Sequence, residues 1–187
     1  TVNATTGVVT GLAVGTTTIT ATQAAASGFN ATTSTSYTLT VTIGTPTISA
    51  APSASSITYG QTLASSTLSG GTASVAGTFA FTTPSTAPGV GTAAQGVTFT
   101  PTDPTNYTSM TTTVNVTVVK ATPAITVAPT ASGITYGQTL ASSTLSGGTA
   151  STAGTFTFTT VSTAPNAGTS AQGVTFTPTS TANYNAV

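Results

Sequence analysis

The chain has 187 residues with a single lysine (Lys120), a single acidic residue (Asp103), no arginine, histidine, cysteine or tryptophan, and zero formal net charge. A Ser or Thr nucleophile needs a base, zinc and calcium need several carboxylate, imidazole or thiolate ligands, and phosphate binding needs several cations, so this inventory argues against catalysis, metal sites and nucleic-acid binding. No catalytic, cofactor-binding or metal-binding residue is assigned, and no apolar run approaches the roughly 20 residues of a membrane helix.

Charged side chains make up 1% of the chain where about 25% is ordinary, and Thr with Ser supplies roughly 40% of it. Hydroxyls hydrate a surface but produce no long-range repulsion, so association between molecules is expected. A start at Thr1 without a signal peptide reads as a processed product or a piece of a longer polypeptide. Absence of cysteine leaves the compartment open, because a domain of this size can stand on its core.

In chain order, residues 1–43 open with Gly11-Leu12-Ala13-Val14-Gly15-Thr16, then a strand at 17–21, a loop through Gly28-Phe29-Asn30, and an alternating strand at 35–43 with Tyr37, Leu39 and Val41 on one face. This segment reads as the C-terminal part of a diverged domain. Residues 44–120 read as one complete unit, with strands near 47–50, 57–59, 66–68, 78–82, 94–100 and 111–119 separated by Gly and Pro turns. Its expected core is Ile48, Ile57, Tyr59, Leu63, Leu68, Phe79, Phe81, Val97, Phe99, Tyr107, Val114, Val116 and Val118. Thr suits the outward positions, because its β-branch fits the pleat while its hydroxyl meets water.

Residues 121–187 repeat that unit. Positions 45–110 reappear as 122–187 without insertion or deletion, the pairs Tyr59 and Tyr136, Phe99 and Phe176, and Tyr107 and Tyr184 all being 77 apart, and about three quarters of the pairs are identical. The copy stops at Val187, the counterpart of Met110, before the strand equivalent to 111–119. An edge groove lined by Phe156, Phe158, Val174 and Phe176 is therefore expected, filled by residues beyond Val187 or by a donated strand such as 35–43 of a neighbouring subunit. Short strands between Gly and Pro turns, with no helical period, indicate an all-β fold of small antiparallel β-sandwich units. Short extended linkers are expected at 43–46 and 120–123, stiffened by Pro46 and Pro123.

The pattern Ile57-Thr58-Tyr59-Gly60-Gln61-Thr62-Leu63, Gly77-Thr78-Phe79 and Val97-Thr98-Phe99-Thr100-Pro101-Thr102-Asp103 with Asn106-Tyr107 resembles the MBG-type bacterial immunoglobulin-like repeats of large surface proteins. Thr6-Gly7-Val8-Val9-Thr10-Gly11-Leu12 followed by Gly15-Thr16-Thr17-Thr18-Ile19-Thr20-Ala21 is similar to the end of the bacterial Ig-like group 2 domains of adhesins. Together these resemblances span nearly the whole chain. They imply the fold class, all-β with tandem immunoglobulin-like β-sandwich domains, and a role mostly as spacers, and they name no ligand.

Several residues admit a chemical reading beside a structural one. Asp103 and Tyr107 have the spacing of a tyrosine corner, or of a turn Asp followed by a core Tyr; the later repeat has Ser180 and Tyr184 there, so the loop does not require a carboxylate. Tyr59-Gly60 and Tyr136-Gly137 read as core tyrosines before a bend in preference to a sugar platform. Lys120 reads as a solvated linker residue in preference to an isopeptide donor. Thr-x-Thr runs such as 98–100, 157–159 and 175–177 read as ordinary strand alternation, not an ice-binding array, and the sequons at Asn3, Asn30, Asn106 and Asn115 arise easily in a Thr-rich chain.

The expected function is a structural repeat module of a bacterial extracellular filament or adhesin stalk, at the cell surface, not an enzyme. Its partners would be identical subunits or neighbouring repeats. The alternative is a module that binds cell-surface glycans through loops, with avidity from repetition.

Overall fold

The computed structural model describes residues 2, 3 and 5–187; the start at Thr1 lies outside them. The protein is all-β, with 42% of its residues in strands and 3% helical, the latter confined among the described residues to two 3-10 turns at Leu63–Ser65 and Leu140–Ser142. The near absence of helix expected from the period-two pattern is borne out. Among the described residues no helix is long and apolar enough to cross a membrane.

The N-terminal segment carries β1 (Gly15–Ile19), β2 (Thr22–Gln23), β3 (Thr32–Thr33) and β4 (Tyr37–Val41), with β1 antiparallel to β4 and β2 to β3. The second repeat carries β5 (Ile48–Ala50), β6 (Ser53–Ala54), β7 (Ile57–Thr58), β8 (Leu68–Ser69), β9 (Thr72–Ala73), β10 (Gly77–Phe81), β11 (Gly91–Pro101) and β12 (Met110–Val119). Here β10, β11, β12 and β7 form one sheet in that order, and β5 pairs with β9 and β6 with β8. The third repeat carries β13 (Ile125–Val127), β14 (Thr130–Ala131), β15 (Leu145–Ser146), β16 (Thr149–Ala150), β17 (Gly154–Phe158) and β18 (Val174–Pro178), paired β13 with β16, β14 with β15 and β17 with β18.

Two compact units divide the chain. One comprises Thr1–Ser53, Leu68–Thr82 and Gly96–Val114; the other comprises Ala54–Thr67, Thr83–Gln95 and Asn115–Val187. In the first, Phe81, Val97, Phe99 and Val114 are buried, and the rings of Phe79 and Phe99 meet at 5.0 Å between centroids. Gly77 is required there by close approach, because a Cβ would overlap the Phe99 ring and the Thr100 carbonyl. In the second, Ile57, Leu63, Val116, Val118, Leu140, Phe158 and Phe176 are buried. Phe156 and Phe176 repeat the ring contact at 4.9 Å, and Gly154 repeats the close approach to Phe176 and Thr177.

Strand pairs are stitched on their exposed faces by neutral hydroxyls. Ser49 and Thr72 share a hydrogen bond of 2.7 Å, Thr82 and Thr98 one of 2.9 Å, and Thr92 and Thr117 one of 2.8 Å. Thr126 with Thr149 at 2.6 Å and Thr159 with Thr175 at 2.9 Å reproduce the first two in the third repeat. The Thr-x-Thr runs thus bond sideways within their own sheets. A serine clasp also recurs: the buried Ser66 hydroxyl donates to the Ser55 carbonyl at 2.6 Å while the Thr67 amide donates to Ser55 Oγ at 2.8 Å. Ser143, Ser132 and Thr144 repeat it at 2.6 and 2.9 Å.

Some expectations need correction. Ser66 is not in a strand: β8 begins at Leu68, and the clasp, not sheet pairing, holds Ser66 inside. Leu63 is core, but on a 3-10 turn whose amide donates to the Thr86 carbonyl at 2.8 Å. Ile48, Tyr59, Leu68, Phe79 and Tyr107 are half-buried, and Tyr136 is 78% exposed, not a core residue.

Candidate functional site

The repeats offer two features with a defined geometry, their junctions and a cleft. At the first junction the Gly44 amide donates to the Asn106 carbonyl at 2.8 Å, and the Thr108 amide donates back to the Gly44 carbonyl at 2.9 Å, which places Gly44 beside Tyr107 in a parallel bridge. The second junction repeats this atom for atom. Ala121 donates to the Asn183 carbonyl at 3.0 Å and accepts from the Asn185 amide at 2.9 Å, beside Tyr184. Each linker is therefore held by the Asn-Tyr loop of the repeat that follows it. A linker so bound has lost the freedom of an open chain, because both of its backbone polar groups are paired.

The side chains of the second junction, all within one unit, add to this. Lys120 Nζ donates to the Thr181 carbonyl at 2.6 Å, and Asn185 Nδ2 donates to Thr122 Oγ1 at 3.1 Å. The Tyr59 ring meets the Tyr184 ring edge-on, with centroids 5.4 Å apart and planes at 82°. Lys120 is exposed, but it clasps the next repeat and is not merely solvated. Tyr59 is a junction residue as much as a core one.

The Asn-Tyr loop itself is built from local bonds. Asp103 accepts from the Asn106 amide at 3.2 Å and from Asn106 Nδ2 at 2.7 Å, and the Tyr107 amide donates to the Asp103 carbonyl at 3.1 Å. The Asn106 side-chain bond holds the Asp103 carboxyl below the usual carboxylate range. Asn106 Oδ1 also accepts from the Val14 amide at 3.0 Å, so this sequon is engaged on both side-chain atoms. In the third repeat the Asn183 and Tyr184 amides both donate to the Ser180 carbonyl at 3.1 Å, which keeps the turn without a carboxylate. The pin is backbone and Asx chemistry: among the described residues the Tyr107 hydroxyl bonds to nothing, so this is not a tyrosine corner.

The second feature is a cleft in the third repeat. Between residues 131–136 and 165–172 lies a cleft of about 420 Å³, lined by Ile134, Tyr136, Leu140, Phe158, Ala167 and Gln172 among others. Of the four residues expected to line such a groove, Phe158 does so; Phe156, Val174 and Phe176 do not. Phe176 is shut in by the Phe156 ring and by Val187, with which it exchanges backbone hydrogen bonds of 2.6 and 3.0 Å. Sequence reasoning missed Ile134, Tyr136 and Leu140, whose placement depends on the strand opposite them. Comparison with protein-family models, with curated proteins and with solved structures finds no match to this chain.

Proposed function

We propose that the chain is a structural repeat module of a bacterial extracellular filament or surface-adhesin stalk, made of tandem immunoglobulin-like sandwiches that add length by adding units. The observation that carries this reading is the repeated junction: the same two backbone bonds tie Gly44 and Ala121 to the Asn-Tyr loop of the following repeat. A unit that conserves the chemistry of its own coupling, while holding one carboxylate and one ammonium group in 187 residues, is suited to bearing load and not to turnover. A surface with so little charge also favours contact between like copies.

The test is an array series of two, four and six repeats measured by small-angle scattering. The maximum dimension should grow in proportion to repeat number; growth as the cube root, typical of a collapsed globule, would refute the spacer role. A glycan array probed with the same proteins separates this from a carbohydrate-binding module, the reading that the exposed Tyr136 favours.

A further inference from the structure

Both repeats carry the same unpaired strand edge. In the second repeat, which other units precede and follow along the chain, β10 is the outermost strand of its sheet and pairs with β11 alone. Its counterpart β17 pairs with β18 alone among the described residues. The Thr82 amide donates to the Gly96 carbonyl and the Thr102 amide to the Ala76 carbonyl, each at 2.9 Å, so in this antiparallel ladder Ala76, Thr78, Ala80 and Thr82 bond toward β11. Gly77, Phe79 and Phe81 aim their N–H and C=O groups the other way. In the third repeat the Thr159 amide donates to the Gly173 carbonyl and the Thr179 amide to the Ala153 carbonyl, again at 2.9 Å, which turns the backbone groups of Gly154, Phe156 and Phe158 outward. Beside this edge runs a groove of about 660 Å³, lined by Leu145, Gly148, Phe156 and Phe176 among others; Leu68, Gly71, Phe79 and Phe99 line its counterpart of about 390 Å³ in the second repeat. Charge, proline and a bulge are the usual guards of such an edge. None is present: residues 153–159 contain neither a charged side chain nor proline, and the register of β17 against β18 runs unshifted from Gly154 to Phe158.

We propose that β17 is a docking edge for β17 of a second copy of the chain, the two strands running antiparallel about Phe156 as one continuous sheet. The inference rests on the reading of the chain as a self-associating repeat module and names the contact. The strand Gly154-Thr155-Phe156-Thr157-Phe158 is complementary to itself in that direction. Its outward backbone groups fall into register, Phe156 opposite Phe156 and Gly154 opposite Phe158, and complete about six hydrogen bonds between the copies. Thr155 of each copy meets Thr157 of the other at the non-hydrogen-bonded positions, where side chains lie closest. The opposite side of the same strand already uses this chemistry: Thr155 stands opposite Thr177, Thr157 opposite Thr175, and Thr159 shares a 2.9 Å hydrogen bond with Thr175. Thr155 and Thr157 are both exposed. With no charge on the strand, two copies meet without repulsion and pairing desolvates no ion. The second repeat has the weaker edge, because β10 carries Ala80 where β17 carries Thr157, and self-pairing there sets Thr78 against alanine. Each further unit adds an edge of this kind, so arrays lying side by side gain avidity with length.

The test uses the 187-residue chain. Thr155→Lys with Thr157→Lys sets lysine against lysine at both close positions, and Thr155→Glu with Thr157→Glu sets glutamate against glutamate. Each doubly substituted chain alone should self-associate at least tenfold more weakly in sedimentation equilibrium, and an equimolar mixture of the two should recover association as a heterodimer. Unchanged hydrogen-exchange protection of β17 and β18 at high dilution is the check on folding. The chain has no cysteine, so an engineered pair reports the register directly. Thr155→Cys in one chain and Thr157→Cys in another should give a disulfide-linked heterodimer on oxidation. Thr155→Cys alone, whose two thiols would lie about 7 Å further apart along the strand, should give at least tenfold less. The proposal is overturned if the unsubstituted chain stays monomeric at every concentration, or if the lysine and glutamate chains associate no better mixed than apart. It is equally overturned if the link between positions 155 and 157 is no more frequent than that between two copies of position 155. None of these outcomes touches the growth of length with repeat number, on which the stalk reading stands.

Discussion

Val97 and Val174 occupy the same place in two nearly identical repeats, and truncating each to Ala measures what β12 contributes. Val97 is 0% exposed and is flanked by β10 and β12; Val174 is half-buried on β18, which among the described residues pairs with β17 alone. Removing two buried carbons costs about 0.8 kcal/mol each in lost transfer, and a cavity that cannot collapse raises Val97→Ala to about 2–3 kcal/mol. For Val174→Ala water already reaches the side chain and no rigid cavity is left, so a cost below about 1 kcal/mol is expected. Hydrogen exchange read by mass spectrometry separates the repeats through peptides that extend past the strands to Asp103 or Ser180, since Val97–Pro101 and Val174–Pro178 have the same sequence. At 1.4 kcal/mol per factor of ten, β11 amides should lose protection by about 30-fold or more in Val97→Ala, and β18 amides by less than about fivefold in Val174→Ala. Equal losses in the two repeats would show that β12 adds no packing at this position.

Gly77→Ala and Gly154→Ala should each lower the denaturation midpoint of their own repeat by the equivalent of about 2–3 kcal/mol, because the new methyl overlaps backbone as well as ring; a neutral result would mean that the strands separate freely there. Ser66→Ala should cost about 1 kcal/mol in urea denaturation through the lost bond to the Ser55 carbonyl, with Ser143→Ala similar. Tyr59→Ala should speed exchange of the Ala121 and Asn185 amides by up to about tenfold, the worth of one aromatic pair, while leaving Gly44 and Thr108 untouched. Asp103 has its pKa depressed in the folded chain, so its contribution is present above the unfolded carboxylate pKa and lost as pH falls through the folded value. Exchange in the loop around Asn106 should therefore become relatively faster in acid, whereas the Ser180 loop should show no such change.

Long elements were legible in the sequence because their alternation runs long enough to have a period: Phe79 and Phe81, Val97 and Phe99, and Val114, Val116 and Val118 lie where that alternation puts them, on β10, β11 and β12. Two-residue strands such as β6 and β9 carry no period, and the turn at Leu63 hides its 3-10 character in a Leu-Ala-Ser triplet that fits equally well in a strand. The junctions were legible as positions, from Pro46 and Pro123, but not as bonded structures, since the partner of Lys120 is a backbone carbonyl 61 residues away. Tyr59 and Tyr136 show the limit most clearly. Their sequence surroundings are the same, and only what stands opposite each ring separates a half-buried residue from an exposed one.

The hydroxyl pairs that stitch the strands have an environmental consequence. Cross-strand ion pairs weaken in brine and change with acidity, but the bond between Thr92 and Thr117, or between Thr159 and Thr175, has no charge for counterions to screen and no proton to lose across the ordinary pH range. Fresh water, seawater and a drying film would present the same sheet surface with the same cohesion. Such a material trades the tunability of charge for indifference to salinity.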